Sequence, residues 1–154
     1  MHDVQTNARE IALKMLAARD HSSQEVRDKL ISKEFSEETA QQVVEWLQGM
    51  NYLQDHDFAE RLTSALVVRG YGPHRIRREL IRRGVPEDLR EEALAGATGF
   101  EPIMDEFIRG KLQGTPPTKK LKTQMSNTLY RRGFDWEDIN QAFWRVFGEG
   151  DENS

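Results

Sequence analysis

A period of about fifty residues constrains this chain more than any other feature. Displaced by fifty, residues 19–44 overlay residues 69–94 without a gap, with identities at Arg19/Arg69, Arg27/Arg77, Leu30/Leu80, Ile31/Ile81 and Glu37/Glu87. Displaced by forty-nine, residues 76–94 overlay 125–143, matching Leu80/Leu129, Arg82/Arg131, Arg83/Arg132, Gly84/Gly133 and Ala93/Ala142. The matches fall on apolar positions at helical spacing and on one breaker position. The chain therefore reads as three related units, each too small for a large core of its own, which favours stacking of neighbours.

Each unit reads as three short helices. The first has Ile11, Met15 and Ala18 marking a helix over 8–18. Ser22-Ser23-Gln24-Glu25 then has the form of a capping box, in which serine and glutamate satisfy open amides at a helix start. The helix that follows turns Val26, Leu30 and Ile31 inward, and Ser36 starts a third with Ala40, Val43, Val44 and Leu47 on one face. The second unit predicts helices over 56–69, 73–83 and 86–95, with Pro73 and Pro86 suited to first turns and Gly84 as a stop. The third predicts 101–112, 118–132 and 135–147, stopped by Gly133 and capped by Asp135. No alternating strand pattern appears. The expected fold is all-α: three tandem three-helix repeats over 1–50, 51–98 and 99–148, stacked into an elongated or curved body. An acidic tail at 149–154 is expected to be disordered, and Gly110–Pro117 to be the loosest connection.

Cysteine is absent, which excludes disulfides, thiolate metal sites and cysteine nucleophiles. No cationic start followed by an apolar run opens the chain, and no stretch approaches the length of a membrane span. A cytoplasmic protein is expected. Four histidines, His2, His21, His56 and His74, make no ligand pair at helical spacing. His56 between Asp55 and Asp57 reads as a polar helix start before it reads as a metal site. Phosphate-cradling, nucleophile-elbow and zinc-protease motifs are missing, so no catalytic residue, cofactor or metal is assigned.

Charge carries more information. The formal total of −4 conceals alternating blocks. Residues 69–83 hold six arginines and one acid, and residues 111–132 hold six Lys/Arg and no acid, while the flanking segments are acidic. Ile76, Leu80 and Ile81 are expected to face inward, which leaves Arg75, Arg78 and Arg82 as one outward stripe at i, i+3 and i+7, flanked by Arg69 and Arg83. The third unit adds Lys119, Lys120, Lys122, Arg131 and Arg132. Such stripes suit phosphate or an acidic protein surface. The competing reading is an ordinary solvated face paired with the acidic third helices, although 111–132 has no acid with which to pair. Tyr71, between Gly70 and Gly72, is a candidate for stacking on a base or a partner side chain, with packing at a helix junction as the competing reading. Trp46, Trp136, Trp144, Phe143 and Phe147 read as core.

Tyr52-Leu53-Gln54-Asp55-His56-Asp57-Phe58-Ala59, then Arg69-Gly70-Tyr71-Gly72-Pro73-His74-Arg75-Ile76-Arg77-Arg78-Glu79-Leu80 and Arg83-Gly84-Val85, resemble the signature of the RecX regulatory proteins. Ala18-Arg19-Asp20-His21-Ser22 and Tyr130-Arg131-Arg132-Gly133-Phe134 fit the same pattern, so the likeness spans about residues 8–148. The resemblance implies a bacterial modulator of the RecA recombinase that lies in the groove of RecA–single-stranded DNA filaments. It would block their extension or promote disassembly, lowering ATP hydrolysis, strand exchange and the SOS response. It also implies three three-helix repeats and weak direct DNA binding. Gln54 stands where the pattern commonly has an acid, and the acidic total argues against strong autonomous DNA binding. Two alternatives stay open: a stand-alone nucleic-acid-binding repeat protein and a protein-only adaptor. A monomer is expected.

Overall fold

The computed structural model describes residues 3–148. Among them the chain forms helices and no strand: α1 (Val4–Ala18), α2 (Ser23–Ser32), α3 (Glu37–Gly49), α4 (Asp55–Val68), α5 (Pro73–Arg82), α6 (Glu87–Ala95), α7 (Phe100–Leu112), α8 (Lys119–Arg131) and α9 (Trp136–Phe147). None of them is long and apolar enough to cross a membrane. The acidic tail at 149–154 and His2 lie outside the described residues.

Helix ends follow local chemistry. Asp3 caps α1 by accepting from the Thr6 amide at 2.7 Å, which starts that helix earlier than its apolar spacing suggests. The capping box before α2 is formed on both sides: Ser22 Oγ accepts from the Glu25 amide at 3.1 Å, and the Glu25 carboxylate accepts from the Ser22 amide at 3.0 Å. Ser36 caps α3 and Thr118 caps α8, each accepting from the amide three residues on at 3.0 Å. The connection expected over 110–117 is shorter, because Gly110 and Lys111 remain helical.

The sequence period returns as a repeated backbone turn. After α2, α5 and α8, Glu34, Gly84 and Gly133 adopt φ of 73°, 79° and 104°. Their amides each donate back to Ile31, Ile81 and Tyr130 at 3.0 Å. The next amides, of Phe35, Val85 and Phe134, reach Leu30, Leu80 and Leu129 at 3.2, 3.0 and 3.1 Å. This double bond pattern satisfies the last carbonyls of each helix, and the left-handed residue it needs explains the breaker position.

The chain divides into two compact units, the first comprising the residues up to Leu62 with Glu79–Ala93, the second Thr63–Arg78 with the chain from Leu94 on. Helices α4 and α5 are each shared between them. The first unit has a core of Ala8, Ala12, Val26, Leu30, Ala40, Val43, Val44, Leu47 and Leu53. The second has Met104, Ile108, Leu112, Met125, Leu129, Phe134, Ile139, Ala142 and Phe143. In both, the middle helix supplies an apolar stripe at i and i+4 and the third closes over it.

One joint recurs, once within each unit. In the first, the turn at Gly84 lies on the start of α2: Ser22 Oγ donates to the Arg83 carbonyl, and a Cβ on Gly84 would lie 2.6 Å from Gln24 Cβ. In the second, the Gly72 amide donates to the Arg132 carbonyl at 2.8 Å and the His74 amide to the Gly133 carbonyl at 3.0 Å. A Cβ on Gly133 would meet the Arg75 nitrogen at 2.4 Å. Glycine at these turns thus serves close approach as well as backbone conformation.

Three expectations about burial are corrected. Ile81 is exposed, because Ile76 and Leu80 already hold the inward line of α5 and Ile81 stands about 100° round from Leu80. Trp136 and Trp144 are also exposed, the inward line of α9 being Ile139, Ala142 and Phe143.

Candidate anion-binding surface

The cations singled out by sequence fall into two classes. Arg75, Arg78 and Arg82 all face solvent along α5, above the buried Ile76 and Leu80. Arg82 is tied to Glu79 one turn back, with Nε donating at 3.0 Å. Arg75 lies over the ring of half-buried Tyr71, 4.5 Å from its centroid, so that ring already has a stacking partner. Arg69 and Arg78 are exposed, with no ion pair or side-chain hydrogen bond among the described residues.

Arg83 is different. Its side chain is only 15% exposed. Nε donates to Glu25 at 2.7 Å, Nη2 donates to the Asp20 carbonyl at 3.2 Å, and the guanidinium lies 5.0 Å from the Phe58 centroid. Burial pushes the Glu25 carboxyl up, but the Arg83 hydrogen bond, the Ser22 amide and the charges of Arg83 and Arg19 outweigh it and hold it below its ordinary range. Arg132 repeats the arrangement forty-nine residues on, lying 4.7 Å from the Phe107 centroid as Arg83 lies over Phe58. These two arginines are taken up by internal contacts. The signal was in the sequence, since Phe58/Phe107 and Arg83/Arg132 share one displacement.

The strongest case for a binding surface is α8. Lys119 and Lys120 are exposed in its first turn and carry no ion pair among the described residues. A helix start presents partial positive charge, so stability alone favours acids there. Two lysines in that position work against the helix that carries them, as functional residues often do. Lys122 is half-buried, with its ammonium 5.5 Å from the Phe147 ring. Arg131 is exposed and reaches Thr128 Oγ1 at 3.4 Å.

An aromatic pair that the sequence reading missed sits at the far end of the same helix. The rings of Tyr130 and Trp136 stack with centroids 4.4 Å apart and planes within 8°. They remain 51% and 47% exposed. Both flank the Gly133 turn, a placement hidden once Trp136 is assigned to the core. Asp135, expected to cap α9, stands at the cap position but turns its carboxylate to His74 Nε2.

Other clusters do not match this surface. His56 is surrounded by acids: Nδ1 lies 3.3 Å from Asp57, while Nε2 lies 3.6 Å from Glu60 and 3.3 Å from Glu92. The Asp57 hydrogen bond, the Glu60 charge and the Glu92 contact raise its pKa, favouring the protonated ring. A hollow in the second unit is lined by Pro73, Phe100, Glu101, Phe134, Asp138 and Arg145, among others. Arg145 is already paired with Asp105 at 2.9 Å, and none of the unpaired cations lines it.

Comparison with known proteins places the chain. The first three-helix domain of RecX matches residues 8–47, and the second matches residues 55–94. The regulatory protein RecX of Salmonella arizonae is 32% identical over 150 residues, covering 90% of each chain. That of Prosthecochloris aestuarii is 36% identical over 138 residues, covering 85% of this chain and 87% of its own. The crystal structure of RecX from Lactobacillus salivarius superposes with a TM-score of 0.85 at 18% identity, covering 94% of this chain and 97% of that one, a likeness of fold.

Proposed function

The chain belongs to the RecX family of regulatory proteins, and from that premise we propose that it binds RecA filaments on single-stranded DNA and limits their extension or promotes their disassembly. It acts by occupancy, without turnover, as a cytoplasmic monomer built from three helical repeats with boundaries near residues 50 and 98. The observation that supports this reading most is the unpaired cationic start of α8, where Lys119 and Lys120 stand against the helix dipole. Arg69, Arg78 and Arg131 extend the set available to phosphate or acidic protein. Arg83 and Arg132 hold the turns that position it. Repeated modules engage a repeating filament, so modest contacts add through multivalency.

The test adds the protein, well below RecA concentration, to filaments assembling on single-stranded DNA and follows ATP hydrolysis. Inhibition is expected. The combined variant Arg78→Ala, Lys119→Ala and Lys120→Ala is expected to lose most of it with an unchanged melting temperature. Full inhibition by that variant would leave a protein-only adaptor. No inhibition by the wild type, with tight and salt-sensitive binding to bare DNA, would leave an independent nucleic-acid module.

A further inference from the structure

We propose that the outer face of α8, with the Tyr130–Trp136 stack at its end, is a seat for single-stranded nucleic acid in which a base stacks on the aromatic pair. This deepens the regulatory reading and rests on it for its setting, but the geometry that carries it is local to one helix.

Helical spacing puts Lys119, Lys120, Asn127, Tyr130 and Arg131 within about 120° of one another around α8, and all five are exposed. Met125 and Leu129 are buried on the opposite side. The helix contains no acid. About 17 Å separates Lys119 from Tyr130 along its axis, so cations and rings lie within reach of a few nucleotides of extended strand. Large flat rings are costly to leave in water, and their stacking on each other leaves each about half exposed.

The occupant follows from charge and ring chemistry together. Cations at the start and at Arg131 match a string of phosphates. Exposed π-surfaces at the end match an unpaired base, because every base has a stacking face and a single strand leaves it accessible. A duplex hides those faces, and an acidic peptide would answer the cations but give the rings nothing flat to stack on. Asn127, between the two groups, is an uncharged donor and acceptor. Asp135 and Glu137, which flank Trp136, are exposed carboxylates that oppose phosphate there, so the phosphates are matched to the Lys119, Lys120 and Arg131 side of α8.

The experiment uses the full chain and no RecA. A labelled oligothymidylate is titrated by fluorescence anisotropy at several salt concentrations, with tryptophan emission followed in parallel. The wild type is expected to bind the single strand more tightly than a duplex of equal length and to show quenched emission. Tyr130→Ala is expected to weaken single-strand binding about tenfold with the salt slope unchanged, since stacking involves no counterion. Trp136→Phe keeps a stacking ring and is expected to retain most of the affinity while losing the quenching. Both residues are half exposed, and unchanged melting temperatures verify the fold. Equal affinity of Tyr130→Ala and wild type, or quenching that persists in Trp136→Phe, overturns the seat. RecA ATP hydrolysis with Tyr130→Ala reports separately: retained inhibition alongside lost oligonucleotide affinity leaves the regulator standing.

Discussion

Glu34, Gly84 and Gly133 occupy the same position in the same turn, yet their surroundings differ. Gly133 has φ of 104° and its missing Cβ would strike the Arg75 backbone, so Gly133→Ala combines backbone strain with a clash against an atom that cannot move aside. A loss of about 2 kcal/mol or more is expected in urea denaturation. Glu34 already bears a side chain at φ of 73°, so Glu34→Gly is expected to shift stability the other way, by up to about 1 kcal/mol. Opposite signs at equivalent positions would show that the joint, not the turn, sets the cost. Glu25 gives the pH counterpart. Its folded pKa lies below the ordinary value near 4.5, so its contribution is fully present above that value and is lost as pH falls through the lowered one. Glu25→Gln should therefore destabilise clearly at neutral pH, by about 1–3 kcal/mol, and progressively less as pH falls below 4.5 and through the lowered pKa. A gap that does not close on acidification would assign the effect to packing.

At the scale of elements, α5 and α8 look alike in sequence but differ in what their cations do. Replacing Arg83 with alanine removes an ion pair, a backbone hydrogen bond and a guanidinium stacked on Phe58, so about 2–3 kcal/mol of stability is expected to go with it. Arg78→Ala should stay within about 0.5 kcal/mol and instead weaken filament inhibition. In α8, Lys119→Glu with Lys120→Glu is expected to raise stability at low salt by about 0.5–1 kcal/mol while abolishing inhibition, the dipole gaining what the binding surface loses. Thermal melting and RecA ATP hydrolysis on the same samples check both halves. Several helix limits were legible because they are written in caps and stops, Ser22 with Glu25, Ser36, Gly84 and Gly133, whereas the caps Asp3 and Thr118 emerged only from the structure. Exposure along α9 was not legible, because Trp136 and Trp144 fit an apolar spacing and only packing shows that Ile139, Ala142 and Phe143 fill the inward side. The division among the arginines was legible only in part: the shared displacement of Phe58/Phe107 and Arg83/Arg132 marks the two that meet a ring, but no sequence signal shows that Arg83 also meets Glu25 and the Asp20 carbonyl.

For the whole molecule, net charge misleads and charge blocks inform. A chain at −4 is poorly disposed toward DNA, but five exposed cations, Arg69, Arg78, Lys119, Lys120 and Arg131, carry no ion pair among the described residues. If those are the phosphate contacts, binding to single strands should fall with salt at a log–log slope of about −3 to −4. A slope near −8, which would require all the basic residues of both blocks, would contradict the internal roles of Arg83 and Arg132. The block pattern was readable from sequence; which members remain free depended on side chains meeting across helices. The recurring joint has a consequence of another kind. Gly84 and Gly133 each let a later turn seat against an earlier helix start, whereas Glu34, exposed at the equivalent turn, carries a Cβ where those joints leave room for none. In the language of polymer growth, Glu34 is a chain stopper: a duplicated module added upstream would find no vacancy to plug into, and lengthening the array in that direction would first require a mutation to glycine.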